Sequence, residues 1–113
     1  MMTLGTTLEK LYAIILERKA SSHESTSYVA SLFAKGTNKI AQKVGEEAIE
    51  VVIARENPAE LVKESADLLF HLSVLWAQAG IVPSDVAAEL QKREGISGLE
   101  EKASRKVGDH PIA

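Results

Sequence analysis

Residues 57–80 read NPAELVKESADLLFHLSVLWAQAG. Both ends of a helix are written into this stretch. Asn57 has a side-chain oxygen for an N-cap, Pro58 suits the first helical position, where no N–H is needed, and Glu60 favours the positive end of the helix dipole. Gly80 ends it, and Pro83 opposes easy resumption. Between these signals, Leu61, Leu68, Leu72 and Leu75 recur at helical spacings. From 68 to 77 the only polar side chains are His71 and Ser73, so this part of the helix is apolar almost all round. Such a helix must be buried on most sides. A chain this short struggles to wrap one helix completely, which points to burial against a second copy; the bland alternative is the central helix of a monomer.

Working outward, the same punctuation recurs. Thr6 with Glu9 reads as a capping box, followed by Leu8, Leu11, Tyr12 and Ile15 at helical spacing. That first helix fades in the polar run Ala20–Ser27. A short second helix is expected from Tyr28 to Lys35, stopped by Gly36, and a third from Asn38 to Glu56. A fifth opens at Ser84 or Asp85 and ends near Gly95. The tail, residues 96–113, is charged and contains glycine. No alternating strand pattern, internal repeat or low-complexity segment is present. The expected fold is all-α: a small bundle of four to five helices, completed by dimerisation, in one domain spanning 1–113 with its core at about 6–95.

The 113 residues are 45% hydrophobic and 26% charged, enough for a core without staples. With no cysteine, disulfides, thiol nucleophiles and cysteine-ligated metals are excluded. The N-terminus lacks a basic region followed by a long apolar run, and no stretch approaches ~18 uninterrupted apolar residues. A net charge of −3 argues against nucleic-acid binding by bulk electrostatics. The expectation is a cytoplasmic protein with neither nucleic acid nor membrane as partner.

The charges then fall into two strips. Lys43, Glu46, Glu47 and Glu50 lie within an arc of roughly 100° on the third helix. Glu64 and Asp67 are spaced three apart on the fourth, and His71 follows one turn later. Beside them run apolar strips: Ile40, Val44 and Val51 on one helix, Leu61, Leu68, Leu72 and Leu75 on the other. If these strips pack together, the carboxylates meet at the edge of the core, where they repel unless a cation joins them. Hard oxygen ligands suit Mg²⁺, and also Mn²⁺. The bland alternative is a solvated face with Lys43 paired to Glu47 one turn on. Gly45 sits just before the strip at a helical cost of about 1 kcal/mol, which suggests close approach of a backbone or a ligand. Lys35, Lys39 and Lys43, at intervals of four with Asn38 among them, suit phosphate oxygens.

Glu46-Glu47-Ala48-Ile49-Glu50, thirteen residues, then Glu64-Ser65-Ala66-Asp67 resembles the EExxE…ExxD signature of the MazG-like all-α nucleoside triphosphate pyrophosphohydrolases. The residues around it extend the match. Ser27 to Phe33, then Gly36, Asn38, Lys39 and Ile40, Lys43 to Ala48, Ala66 to Leu72, Leu90 to Gly98 and Glu100 to Lys102 are similar to the phosphoribosyl-ATP pyrophosphohydrolase family. The likeness runs from about Leu8 to Lys106. Phe70 departs from a position where tyrosine is common in the family.

The resemblance implies hydrolysis of phosphoribosyl-ATP to phosphoribosyl-AMP and pyrophosphate, the second step of histidine biosynthesis, by a nucleotide-binding, magnesium-dependent homodimer. It implies Glu47, Glu50, Glu64 and Asp67 as Mg²⁺ ligands, with Glu46 either ligating a second ion or activating water. It gives Lys35, Asn38, Lys39 and Lys43 to the phosphates. Arg93, Lys102, Arg105 and Lys106 form a basic set in and before the tail, suited to the ribosyl phosphate at the substrate's far end. A pyrophosphohydrolase of damaged nucleotides would share the acidic site, and a non-catalytic helical module would bind no metal.

Overall fold

The computed structural model describes residues 2–94, and among them every regular element is a helix. The elements are α1 (Leu4–Ser21), α2 (Tyr28–Lys35), α3 (Thr37–Ile53), α4 (Pro58–Ala79) and α5 (Pro83–Lys92). The expected tail lies outside the described residues. Among the described residues, 2–83 form one compact unit and 84–94 belong to a second. In the second, Arg93 reaches back one turn to Glu89, Nη2 to Oε1 2.7 Å.

The helix ends follow cap chemistry. Asn57 Oδ1 accepts from Glu60 N at 3.2 Å. Gly80 closes α4 in the left-handed region at φ 79°, and Ile81 N donates to Trp76 O at 3.0 Å, a Schellman-like stop. Ser27 caps α2 by accepting from Ala30 N. Gly36, at φ 92°, ends α2 and starts α3 in a single residue: its N–H donates to Leu32 O and its carbonyl accepts from Ile40 N. A side chain would be strained at that φ, so a glycine is what lets two helices meet without a linker.

Three boundaries differ from the sequence reading. α1 starts earlier, because Thr3, not Thr6, is its cap; Thr3 Oγ1 accepts from Thr6 N at 3.1 Å. Both threonines have cap chemistry, and the earlier one gains an additional helical stretch. α3 stops at Ile53, and a turn closed by Asn57 N to Ala54 O at 2.9 Å precedes α4. α5 begins at Pro83, which is tolerated at a first helical position.

The core is small. Tyr12 and Ile15 from α1, Val29 and Leu32 from α2, Ile40 from α3 and Val74 and Ala77 from α4 form it, with Leu11, Phe33, Phe70, Leu75 and Trp76 packed against it. The Tyr12 hydroxyl donates to Ile81 O at 2.7 Å, pinning α1 to the end of α4. The buried residues of α4 all lie between 71 and 77. Its first half leaves Val62 70% exposed, and the second half of α3 leaves Ile49, Val52 and Ile53 exposed too. On α4 the exposed large apolar side chain, Val62, therefore lies upstream of Leu72 and Trp76, which are half-buried within this chain.

Candidate metal centre

α3 and α4 share the most extensive helix–helix interface. Ile40 is fully buried, while Val44 and Val51 on α3 and Leu61, Leu68, Leu72 and Leu75 on α4 are half-buried along it. That packing sets the register of the acidic strips. Glu47 from α3 and Glu64 and Asp67 from α4 each bring a carboxylate oxygen to within 4.8 Å of the others. Glu47 and Glu64 are half-buried and Asp67 is exposed, so the cluster sits at the core's edge.

The electrostatics record an uncompensated charge. The Glu64 carboxyl is pushed above its ordinary range, first by partial burial, then by Asp67, Glu50, Glu47 and Glu60 in turn. Three close carboxylate oxygens with no fixed cation among them are a hard-ligand set, and they can hold a divalent metal ion. Glu50 is near enough to act on Glu64 but contributes no oxygen to the three-carboxylate group.

Glu46 is turned to other partners. Gln42 Nε2 donates to it at 2.8 Å and Lys43 Nζ lies 3.4 Å away. These hydrogen bonds, Gln42's first, hold its carboxyl below the usual range. Lys43 thus pairs three residues on with Glu46, and not with Glu47 as the solvated-face alternative would have it. The same contact keeps the Lys43 ammonium protonated to higher pH, and the Tyr28 phenol adds to the effect. Lys39, half-buried one turn earlier, also acts on Glu46. Lys35 and Asn38 are exposed around the α2–α3 junction. Gly45 is exposed, and a Cβ there would meet open space, so no atom of the described chain makes the expected close approach. Arg93 belongs to the second unit, and Lys102, Arg105 and Lys106 lie outside the described residues.

The family profile described as phosphoribosyl-ATP pyrophosphohydrolase matches residues 8–94, most of the chain and all of the carboxylate cluster. The chain belongs to this family. Relatives named phosphoribosyl-ATP pyrophosphatase agree with that. One from Paramagnetospirillum magneticum is 55% identical over 100 residues, covering 87% of this chain and 91% of the relative. Another from Rhizorhabdus wittichii is 57% identical over 104 residues, covering 90% and 97%. A third from Azospirillum brasilense is 55% identical over 101 residues, covering 88% and 90%. The family and the all-α fold are therefore both as the sequence reading expected.

The sequence reading did not anticipate His71's role. It sits beside the acidic strip by spacing, yet the structure turns it inward: it is 6% exposed and lies outside the carboxylate group. Its Nδ1 contacts the Asp67 carbonyl at 2.8 Å and its Nε2 the Tyr28 hydroxyl at 3.1 Å. A signal was present, since a polar ring in the middle of LLFHLSVLWA must find partners within the protein.

Proposed function

We propose that this chain hydrolyses phosphoribosyl-ATP to phosphoribosyl-AMP and pyrophosphate with Mg²⁺, in the cytoplasm, as a step of histidine biosynthesis. The observation that carries the reading is the convergence of Glu47, Glu64 and Asp67 from two helices within 4.8 Å, inside a chain of this family. Those three residues would hold the ion, with Glu50 completing the set; Mn²⁺ has the same hard-ligand preference. Mg²⁺, when bound, neutralises triphosphate charge and stabilises the leaving pyrophosphate.

The remaining work falls to this chain's own residues. Lys43 is charged and sits beside the cluster, so it can turn from Glu46 to a phosphate oxygen. Glu46 then loses one of its two hydrogen-bond partners and its affinity for a proton rises, which fits it to accept one from attacking water. Lys39, Lys35 and Asn38 extend the phosphate-binding side along α3 and the α2–α3 junction. Arg93, Lys102, Arg105 and Lys106 are proposed for the ribosyl phosphate, because an acidic centre cannot bind both ends of the substrate.

The active form is proposed to be a homodimer. An apolar groove of about 610 Å³, lined by Leu4, Pro58, Leu61, Val62, Ser65, Ala66 and Leu69, opens on the first half of α4. A second copy covering it would bury the open half of α4. The test is pyrophosphate release from phosphoribosyl-ATP, compared with a panel of ordinary nucleoside triphosphates, with and without Mg²⁺. Preferential, Mg²⁺-dependent turnover of phosphoribosyl-ATP is expected. Faster turnover of an ordinary nucleotide would replace this substrate, and turnover unaffected by a chelator would remove the metal.

A further inference from the structure

The short turn at residues 54–57 joins α3 to α4, so the two pack as an antiparallel hairpin. Val44 and Val51 on α3 and Leu61 and Leu68 on α4, all half-buried, mark its seam. At 100° per residue, Glu50 falls to one side of that seam on α3, and Val52 and then Ile49 to the other. On α4, Glu64 and Asp67 turn in the same sense as Glu50, and Val62 and Leu69 in the same sense as Val52. In antiparallel helices that face each other, one rotational sense is one side of the pair. The carboxylates therefore occupy one face of the hairpin, and the open apolar side chains lie on the opposite face.

That second face has two parts. Ile49, Val52 and Ile53, at 62%, 60% and 66% exposure, form a ridge of branched side chains on α3. Beside them on α4 is the groove, whose walls include Leu4, Leu61, Val62 and Leu69 and whose lining holds no charged side chain. The three ridge residues with Val62 and Leu4 expose roughly 500–600 Å² per copy, against the ~800 Å² per partner that a standard interface buries. Pro58, Leu61, Ala66 and Leu69 in the groove supply most of the remainder. A foreign apolar segment filling the groove would leave the ridge in water. A second copy turned about a two-fold axis covers both at once, because each chain carries one ridge and one groove on the same face.

We propose that two copies of this chain pair face to face across their α3–α4 hairpins, the α3 ridge of each seated in the α4 groove of the other. The inference rests on the homodimer of the function reading and adds which surface of the second copy fills the groove. Both contacts of the pair are satisfied within it, so assembly closes at two copies and does not run on into a filament.

The experiment mixes a ridge variant, Val52→Lys, with a groove variant, Val62→Glu, and reads assembly by sedimentation at micromolar concentration. Each variant alone damages both contacts of its own pair and is expected to weaken dimerisation by about tenfold or more. Its helical spectrum should be unchanged, since both positions are exposed in the single chain. In a mixed pair both changes fall in one contact, with opposite charges, and the other contact is wild type. The mixture is therefore expected to recover dimer. Wild-type dimers without recovery on mixing would overturn the proposal, because ridge-to-ridge or groove-to-groove packing gives no rescue. So would a variant that dimerises like the wild type. A second readout uses the absence of cysteine from the chain. Ile49→Cys and Val62→Cys are expected to react with a maleimide several-fold more slowly in concentrated than in dilute protein. Ser25→Cys, in the exposed turn before α2, is expected to react at one rate. Rates at Ile49→Cys and Val62→Cys that ignore concentration would also overturn the proposal. A wild type that stays monomeric would remove the homodimer and this inference together. None of these readouts uses turnover, so they are independent of the substrate reading.

Discussion

Gly45→Ala tests whether the space above the acidic strip is used. Gly45 lies inside α3, two residues before Glu47, and its φ is not positive. A Cβ at this position meets no heavy atom within 4 Å. Nothing in the described chain therefore opposes the methyl group, and the helix gains the ordinary alanine preference. That preference, with the lower entropy of the unfolded chain, is worth roughly 0.5–1 kcal/mol. For a chain of this size about 4 °C of Tm corresponds to 1 kcal/mol, so the expected rise is about 2–4 °C. The measurement is thermal unfolding without metal, followed by circular dichroism. A fall in Tm would refute the reasoning, because it would mean that α3 is irregular or covered at this position. Kinetics then separate the reasons for the glycine. A raised KM for phosphoribosyl-ATP with the higher Tm would show that substrate approaches the α3 backbone here. An unchanged KM would make the glycine dispensable.

The remaining predictions concern the cluster, the core and the open face. Glu47→Gln or Asp67→Asn should abolish turnover while metal-free Tm stays level or rises slightly; activity near wild type at limiting Mg²⁺ would remove these residues as ligands. Glu64's raised carboxyl pKa means that its charged form opposes folding. Metal-free stability should therefore gain a contribution as pH falls from neutrality through a window just above the ordinary carboxylate range. Glu46 and Glu89, held low, contribute in the opposite sense: their share is present above that range and lost as pH falls below it. Glu64→Gln should flatten the upper window alone, as read from Tm against pH in a chelating buffer. Ile40→Ala, at a position with 0% exposure, should cost about 2–5 kcal/mol, or about 8–20 °C of Tm, and a cost below about 1 kcal/mol would contradict its place in the core. Val62→Glu should shift sedimentation from dimer towards monomer while leaving the helical spectrum intact, and a wild type that sediments as a monomer at micromolar concentration would remove the dimer.

The helices were legible because their signals are local. Asn57-Pro58 and Gly80 bound α4 as expected, and Gly36 separates α2 from α3, since caps and φ preferences act within a few residues. Locality also limits what such signals can decide. Thr3 and Thr6 carry the same cap chemistry, and only the folded helix selects Thr3. The acidic residues were likewise visible as two strips three residues apart. Which of them share a centre depends on how α3 and α4 pack, and that register brings Glu47, but not Glu50, into one group with Glu64 and Asp67.

Sequence alone determined the family, through an ordered set of motifs that resembles it, and the all-α content and the two acidic strips, which periodicity and short-range spacing encode directly. Tertiary structure decided where side chains separated by tens of residues point. Tyr28 and His71 lie 43 residues apart, and no periodicity links them, yet the packed helices join them through one hydrogen bond. The same packing buries the second half of α4 within the chain and leaves Val62 exposed on its first half. Hydropathy reports what a helix must bury, and only the neighbouring helices determine which part of it they cover.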